Sequence, residues 1–362
     1  MKNRIWADET DAALADAAAR YLSTRYRFED RQRLPRDEHR YNASVWKAMA
    51  DMGWFSVTTP EAHSGLGIRV ASACLLAEAA GRGLVTEPFA SSGLLAPYLI
   101  AQFGTPEQRT QWLLALHSGS VRVAYMALMD KHNPEELRLN GRCEVVMDAD
   151  IADQYIVSIG TEEAASVYFV DASALGVTRS CYPLLDARGA ATVVFSDVNA
   201  VRLGSANTCD LRPALRLAAL ATAADSMGAM FAAFDLTLAY IKTRRQFGVP
   251  IGTNQALQHR AVDMFIRLVE SRAVLDQAIE SLEADSIDAA RDVHAAKSFI
   301  CESARLLAHE AVQLHGGIGI TEEYAVSHYL RRVRVNEQLY GSAEKHLLDF
   351  AALRPALELS VH

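Results

Sequence analysis

The chain has 362 residues, half of them hydrophobic and 22% charged, and carries a formal net charge of −8. That length allows two or three packed domains, and the acidic balance offers no basic face for nucleic acid. The five cysteines, at 74, 143, 181, 209 and 301, show no paired spacing, so neither a disulfide framework nor a metal site is expected.

In chain order, the stretch from Met1 to Glu9 lacks the apolar core of a signal peptide, which predicts a cytoplasmic protein. Residues 1–118 form an expected helical domain. Asp11 to Tyr21 is Ala-rich, and Val45, Trp46, Met49 and Met52 fall at helical spacing. Pro60, Gly65 and Gly67 mark an irregular loop before a helix over about 70–80. Thr105 and Pro106 then suit the N-cap and first position of another helix.

Residues 119–205 change character. Short apolar runs at 144–147, 154–159, 167–170 and 191–195 predict a small β domain, and Asn140-Gly141 predicts a hairpin turn. Residues 206–362 are helical again, with long segments over 215–242, 255–284 and 289–314 and a shorter one over 322–336. These suit a four-helix bundle. The fold class expected is α+β, mainly α. The longest apolar run, Leu215 to Ala224, is too short and Ala-rich to predict a membrane span.

Two segments could carry chemistry. Arg244-Arg245-Gln246-Phe247-Gly248 ends the first long helix, followed by Gln255. An arginine there can present its fork to phosphate, or simply meet the helix dipole. Gln313-Leu314-His315-Gly316-Gly317-Ile318-Gly319 ends the third. Its glycines allow close approach of backbone to a ligand, or serve as a plain helix cap. His315 can cap or touch a cofactor, whereas His294, His309 and His328 sit at no metal-ligand spacing and are expected to be structural.

Arg-x-x-Phe-Gly, the later Gln255 and Gln-x-x-Gly-Gly-x-Gly together resemble the acyl-CoA dehydrogenase family. Asp51-Met52-Gly53-Trp54, Pro60-Glu61 and Ser64-Gly65-Leu66-Gly67 resemble its N-terminal loop. Gly104-Thr105-Pro106-Glu107-Gln108-Arg109, with Trp112-Leu113 and Ser118-Gly119, resembles the helix before its β domain. The resemblance implies a helical domain, a β-barrel domain and a four-helix bundle, assembled as a tetramer with FAD. It also implies α,β-dehydrogenation of an acyl-CoA thioester, in which a carboxylate removes the α-proton and the β-hydride goes to the flavin. Carried over, Arg244 would meet the FAD pyrophosphate, Phe247 and Gln255 would flank it, and Gln313, Gly316 and Gly317 would contact the adenosine end. That FAD would be bound mainly by a neighbouring subunit.

Other family positions do not match. The hydroxyl-bearing loop corresponds to Ala124–Asp130, followed by Lys131-His132-Asn133-Pro134. Leu128, Val145 and Met147 stand where hydroxyls and an aromatic ring would face the flavin. The base position falls on Tyr340 or Gly341, and the alternative one on Ala218, so no catalytic residue is expected in this chain. Glu337 and Glu344 are the nearest candidates for a displaced base. The resemblance is thus to the base-lacking subunit of heteromeric bacterial acyl-CoA dehydrogenases of the steroid side-chain type. It implies an α2β2 heterotetramer with a related subunit. The alternatives are an FAD-dependent homotetramer with a displaced base and a flavin-free scaffold.

Overall fold

A computed structural model describes residues 8–33, 41–128 and 137–353. They form two compact units. One holds Ala13–Leu76 and Val85–Ala218; the other holds Ala77–Leu84 and the chain from Ala219 onward, with the start of the first helix.

The first unit begins with α1 (Glu9–Arg25), α2 (Phe28–Gln32) and α3 (Ala43–Asp51). The Asn42 side chain accepts from the amides of Ser44 and Val45 and so starts α3. Trp46 and Met49 are buried on its inner face, with Trp46 stacked on Phe55 at 4.0 Å between centroids. The paired strands β1 (Thr58–Thr59) and β2 (Gly67–Ile68) precede α4 (Val70–Gly83). A π-helix over Phe89–Leu95 runs into α5 (Ala96–Phe103), and α6 (Pro106–His117) follows. Thr105 and Gln108 close a capping box at the start of α6, with Pro106 at its first position as the sequence predicts.

The β region has β3 (Val123–Leu128), β4 (Arg138–Met147), β5 (Gln154–Thr161), β6 (Ala164–Asp171), β7 (Val177–Pro183), β8 (Gly189–Asn199) and β9 (Val201–Arg202). Two sheets, ordered β3-β5-β6-β9 and β4-β8-β7, share one core containing Leu128, Leu139, Tyr155, Tyr168, Val193 and Phe195. β3 and β5 are parallel, whereas β4–β8, β5–β6, β6–β9 and β7–β8 pair antiparallel. The expected Asn140-Gly141 hairpin is not formed. These residues lie inside β4 at a register shift, where Asn140 Oδ1 accepts from the amide of Asp197 at 2.8 Å. Pairing with β8 overrides the local turn preference.

The second unit is built on α7 (Arg212–Thr243), α8 (Gln255–Glu283), α9 (Ala289–His315), α10 (Val326–Asn336) and α11 (Ala343–Ala352), with a hairpin of β10 (Arg245–Gln246) and β11 (Val249–Pro250) after α7. By length and composition α7 could cross a bilayer, further than its longest apolar run suggests, but 89% of its most apolar window is buried inside the protein. It is a core helix. The last turns of α4 cross α7 at two glycines. A Cβ on Gly81 would lie 1.8 Å from Asp225 O, and one on Gly228 would lie 1.9 Å from Glu78 O. Only glycine permits that approach.

Buried polar groups tie the helices together. Arg332 donates to both carboxylate oxygens of Asp225 at 2.8 and 2.6 Å, and Asn336 Nδ2 donates to the same carboxylate at 2.6 Å. Lys297 Nζ donates to Asn336 O at 2.7 Å. Arg332 and Asp225 are thus paired as ions, and the buried Lys297 ammonium is held by a carbonyl. None of the five cysteines is in a disulfide; four are buried and Cys181 is exposed.

Candidate functional site

Phe247 and Gly248 have φ of 50° and 84°, so they form the two-residue loop between β10 and β11. Left-handed backbone at both central residues matches the twist of a tight hairpin. Phe247 stands fully exposed at the tip, and Arg245 Nη2 donates back to Gly248 O at 2.9 Å. Arg244 keeps its helical bond to Tyr240 O, while its own carbonyl accepts from Ile251 N at 2.8 Å. That bond folds the chain into the turn leading to α8, which Asn254 caps and Gln255 begins. The side chains of Arg244 and Gln255 are exposed.

The end of α9 lies beside the end of α7. The His315 ring stacks on Tyr240 with centroids 4.5 Å apart, and Tyr324 closes on the same imidazole at 5.0 Å. His315 Nδ1 donates to Ala311 O at 2.7 Å, which leaves Nε2 as a buried acceptor with no hydrogen-bond partner. Burial holds the imidazole pKa below its usual value, opposed only by the Ala311 bond. Gly316 turns the chain at φ 62°, and a Cβ at Gly316, Gly317 or Gly248 would meet no atom within 4 Å. The backbone at these glycines is therefore open to a ligand. Gln313 is exposed one turn earlier. The stacked ring of Tyr240 joins the two motif segments, a contact with no local sequence signal.

The positions at which the sequence resemblance would put the base hold no carboxylate. Ala218 is buried inside α7. Tyr340 and Gly341 form a left-handed turn, with φ of 55° and 104°. A side chain at 341 would place its Cβ 2.7 Å from His346 Nε2. Glu337 is held by Arg334 at 2.6 Å and Arg305 at 3.7 Å, and Glu344 is exposed in the first turn of α11. In the β region Leu128 is buried in the core, Met147 is half-buried, and Val145 is exposed at φ 53° with its amide donating to Tyr182 Oη. Met129, Asp130 and the segment Lys131-His132-Asn133-Pro134 lie outside the described residues. Of the histidines expected to be structural, His328 Nε2 bonds Glu322 O at 3.0 Å and His294 pairs with His346.

Residues 8–120 match the acyl-CoA dehydrogenase N-terminal domain and residues 211–352 its C-terminal domain. The acyl-CoA dehydrogenase IpdE2 of Mycolicibacterium smegmatis is 30% identical over 342 residues, covering 94% of each chain. The chain belongs to the acyl-CoA dehydrogenase family. Among solved structures, a chain of the Tcur3481–Tcur3483 steroid ACAD has a TM-score of 0.84 and 28% identity, covering 95% of this chain and 97% of that chain. A chain of the ChsE4–ChsE5 complex from Mycobacterium tuberculosis has a TM-score of 0.86 and 25% identity, covering 97% and 99%.

Acyl-CoA dehydrogenases are FAD-dependent oxidoreductases. The residues on this chain fit part of such a group. An exposed guanidinium suits phosphate, and three unobstructed glycine backbones with two exposed side-chain amides suit a nucleotide.

Proposed function

We propose that this chain is the base-lacking subunit of a heteromeric acyl-CoA dehydrogenase, pairing with a related subunit in an α2β2 assembly. The partner would supply the glutamate that removes the α-proton of an acyl-CoA thioester, and most of the bed for an FAD that accepts the hydride. This chain would lend Arg244 to the pyrophosphate, Phe247 and Gln255 beside it, and Gln313 with the backbone of Gly316 and Gly317 to the adenosine end.

One observation carries this reading. The motif residues stand exposed around open glycine backbone, while the turn at Tyr340–Gly341 holds no carboxylate and His346 fills the space beside Gly341. Phe247, fully exposed on a turn with φ of 50°, would meet the partner or its cofactor rather than its own chain. Val262, Phe265, Ile266 and Val269 add an exposed apolar stripe on α8 at helical spacing, suited to a partner helix. The Tcur3481–Tcur3483 and ChsE4–ChsE5 relatives, each a pair of different chains, favour a related subunit over a second copy, and the former favours a steroid acyl thioester.

The purified single chain, supplied with FAD and acyl-CoA substrates, should show no substrate-dependent bleaching of flavin. General-base help contributes about two to four powers of ten in rate, and neither family position supplies it. Turnover by the single chain that disappears in Glu344→Gln would replace this reading with a homotetramer using a displaced base.

A further inference from the structure

Two imidazoles tie the Tyr340–Gly341 turn and α11 to α9. His346 Nε2 lies 3.0 Å from Tyr340 O, and its Nδ1 lies 2.9 Å from His294 Nδ1. A carbonyl can only accept, so the hydrogen of the first contact sits on His346 Nε2. Neutral His346 then has a bare Nδ1, and the hydrogen between the rings belongs to His294 Nδ1. Both tautomers are fixed by that one carbonyl. A proton added at His346 Nδ1 faces the Nδ1–H of His294 across 2.9 Å, and the contact re-forms only if that hydrogen moves to His294 Nε2.

The surroundings of His346 disfavour a charge. Lys297 and His294 face it from α9 and Lys345 from α11. The nearby carboxylate, Asp349, lies 3.9 Å from His294 Nδ1 and 2.8 Å from Lys345 Nζ. Cys301 and Glu337 lie behind Lys297. Burial, then these cations, push the His346 pKa down to about 4, opposed by the Tyr340 bond.

We propose that His294 and His346 form a proton-locked latch that holds the Tyr340–Gly341 turn and α11 against α9, and that opens when His346 takes up a proton. The imidazole fills the space a side chain at 341 would need, and its hydrogen bond to Tyr340 O steadies a turn whose φ at Tyr340 is 55°. Its folded pKa is depressed, so the latch contributes stability fully above the unfolded value of 6.5 and loses it as pH falls toward about 4. The element released is α11, which packs on α9. This inference stands on the histidine geometry and is independent of which subunit carries the base.

Hydrogen exchange of the full chain, compared at about pH 7.5 and about pH 4.5 and corrected for intrinsic rates, tests it. Amides of α11 and the turn should lose about tenfold more protection at the acid pH than those of α9. His346→Gln keeps a donor near the Nε2 position but cannot take the charge, and should abolish the difference. Equal loss across α9 and α11, or acid opening in His346→Gln as in the parent, would overturn the latch. Nitrogen-15 NMR of the parent imidazoles decides it without a variant: His346 should carry its hydrogen on Nε2 and stay neutral well below pH 6.5. An Nδ1–H tautomer, or titration near 6.5, would contradict it.

Discussion

The phenol ring of Tyr240 lies against the imidazole of His315 with centroids 4.5 Å apart and planes 28° from parallel. This contact brings the end of α7, with Arg244, beside the end of α9, with Gln313 and the glycine pair. Tyr240→Leu should forfeit about 0.5–1.5 kcal/mol of ring pairing beyond the lost area. It should lower the melting temperature by a few degrees and speed amide exchange in the hairpin after α7. An unchanged hairpin exchange pattern would show that other contacts set the register.

The glycine crossing of α4 and α7 makes a sharper stability prediction. A methyl on Gly228 would sit 1.9 Å from Glu78 O, and that atom is backbone rather than a flexible side chain. Gly228→Ala should cost about 1–3 kcal/mol or more by overpacking, despite alanine's better helix propensity. Chemical denaturation would read this as a lower midpoint. A neutral or stabilising effect would mean that the helices separate easily at this crossing.

Glu87 predicts a pH dependence of the opposite sign to the histidine latch. It is fully buried in the helical N-terminal part, accepting from the amides of Asn42 and Thr86, with Tyr26 alongside. Burial first of all raises its pKa from 4.5 to about 7, against those hydrogen bonds. A raised folded value means its contribution is full below pH 4.5 and lost as pH rises through about 7. Glu87→Gln should therefore gain in melting temperature relative to the parent between about pH 5 and about pH 8. A difference that does not vary with pH over this window would contradict the assignment.

Arg244→Ala tests the cofactor role separately from catalysis. Loss of a charge-assisted bond to phosphate, about 1.5–3 kcal/mol, should weaken FAD retention in the assembled complex by roughly tenfold or more. Flavin content per chain after gel filtration measures this. Full retention would favour a scaffold that does not touch the cofactor.

Much of the fold was legible because its signals are local. Thr105-Pro106 capped α6 as expected, and the three long apolar-patterned segments became α7, α8 and α9 within a few residues. Asn140-Gly141 misled because a strand partner, through Asp197, took the asparagine side chain that a turn would use. The exposed Arg244, Phe247 and Gln313 were visible as motif residues. The contacts that organise their surroundings were not, because they join distant segments. Tyr240 meets His315 and Tyr324 only once the helices pack, and His346 finds His294 fifty-two residues away. The same holds for the seal at Gly341. Sequence shows no carboxylate at Tyr340 or Gly341, where the resemblance would put one, but only the structure places an imidazole against Gly341.

The most direct test of the account is the flavin count of the complex. Co-expressed with a related subunit that carries the glutamate, this chain should purify in an assembly of four chains holding two FAD, because each site would need one half from each kind of chain. Four FAD per four chains, or a stable flavin-loaded homotetramer of this chain alone, would contradict it.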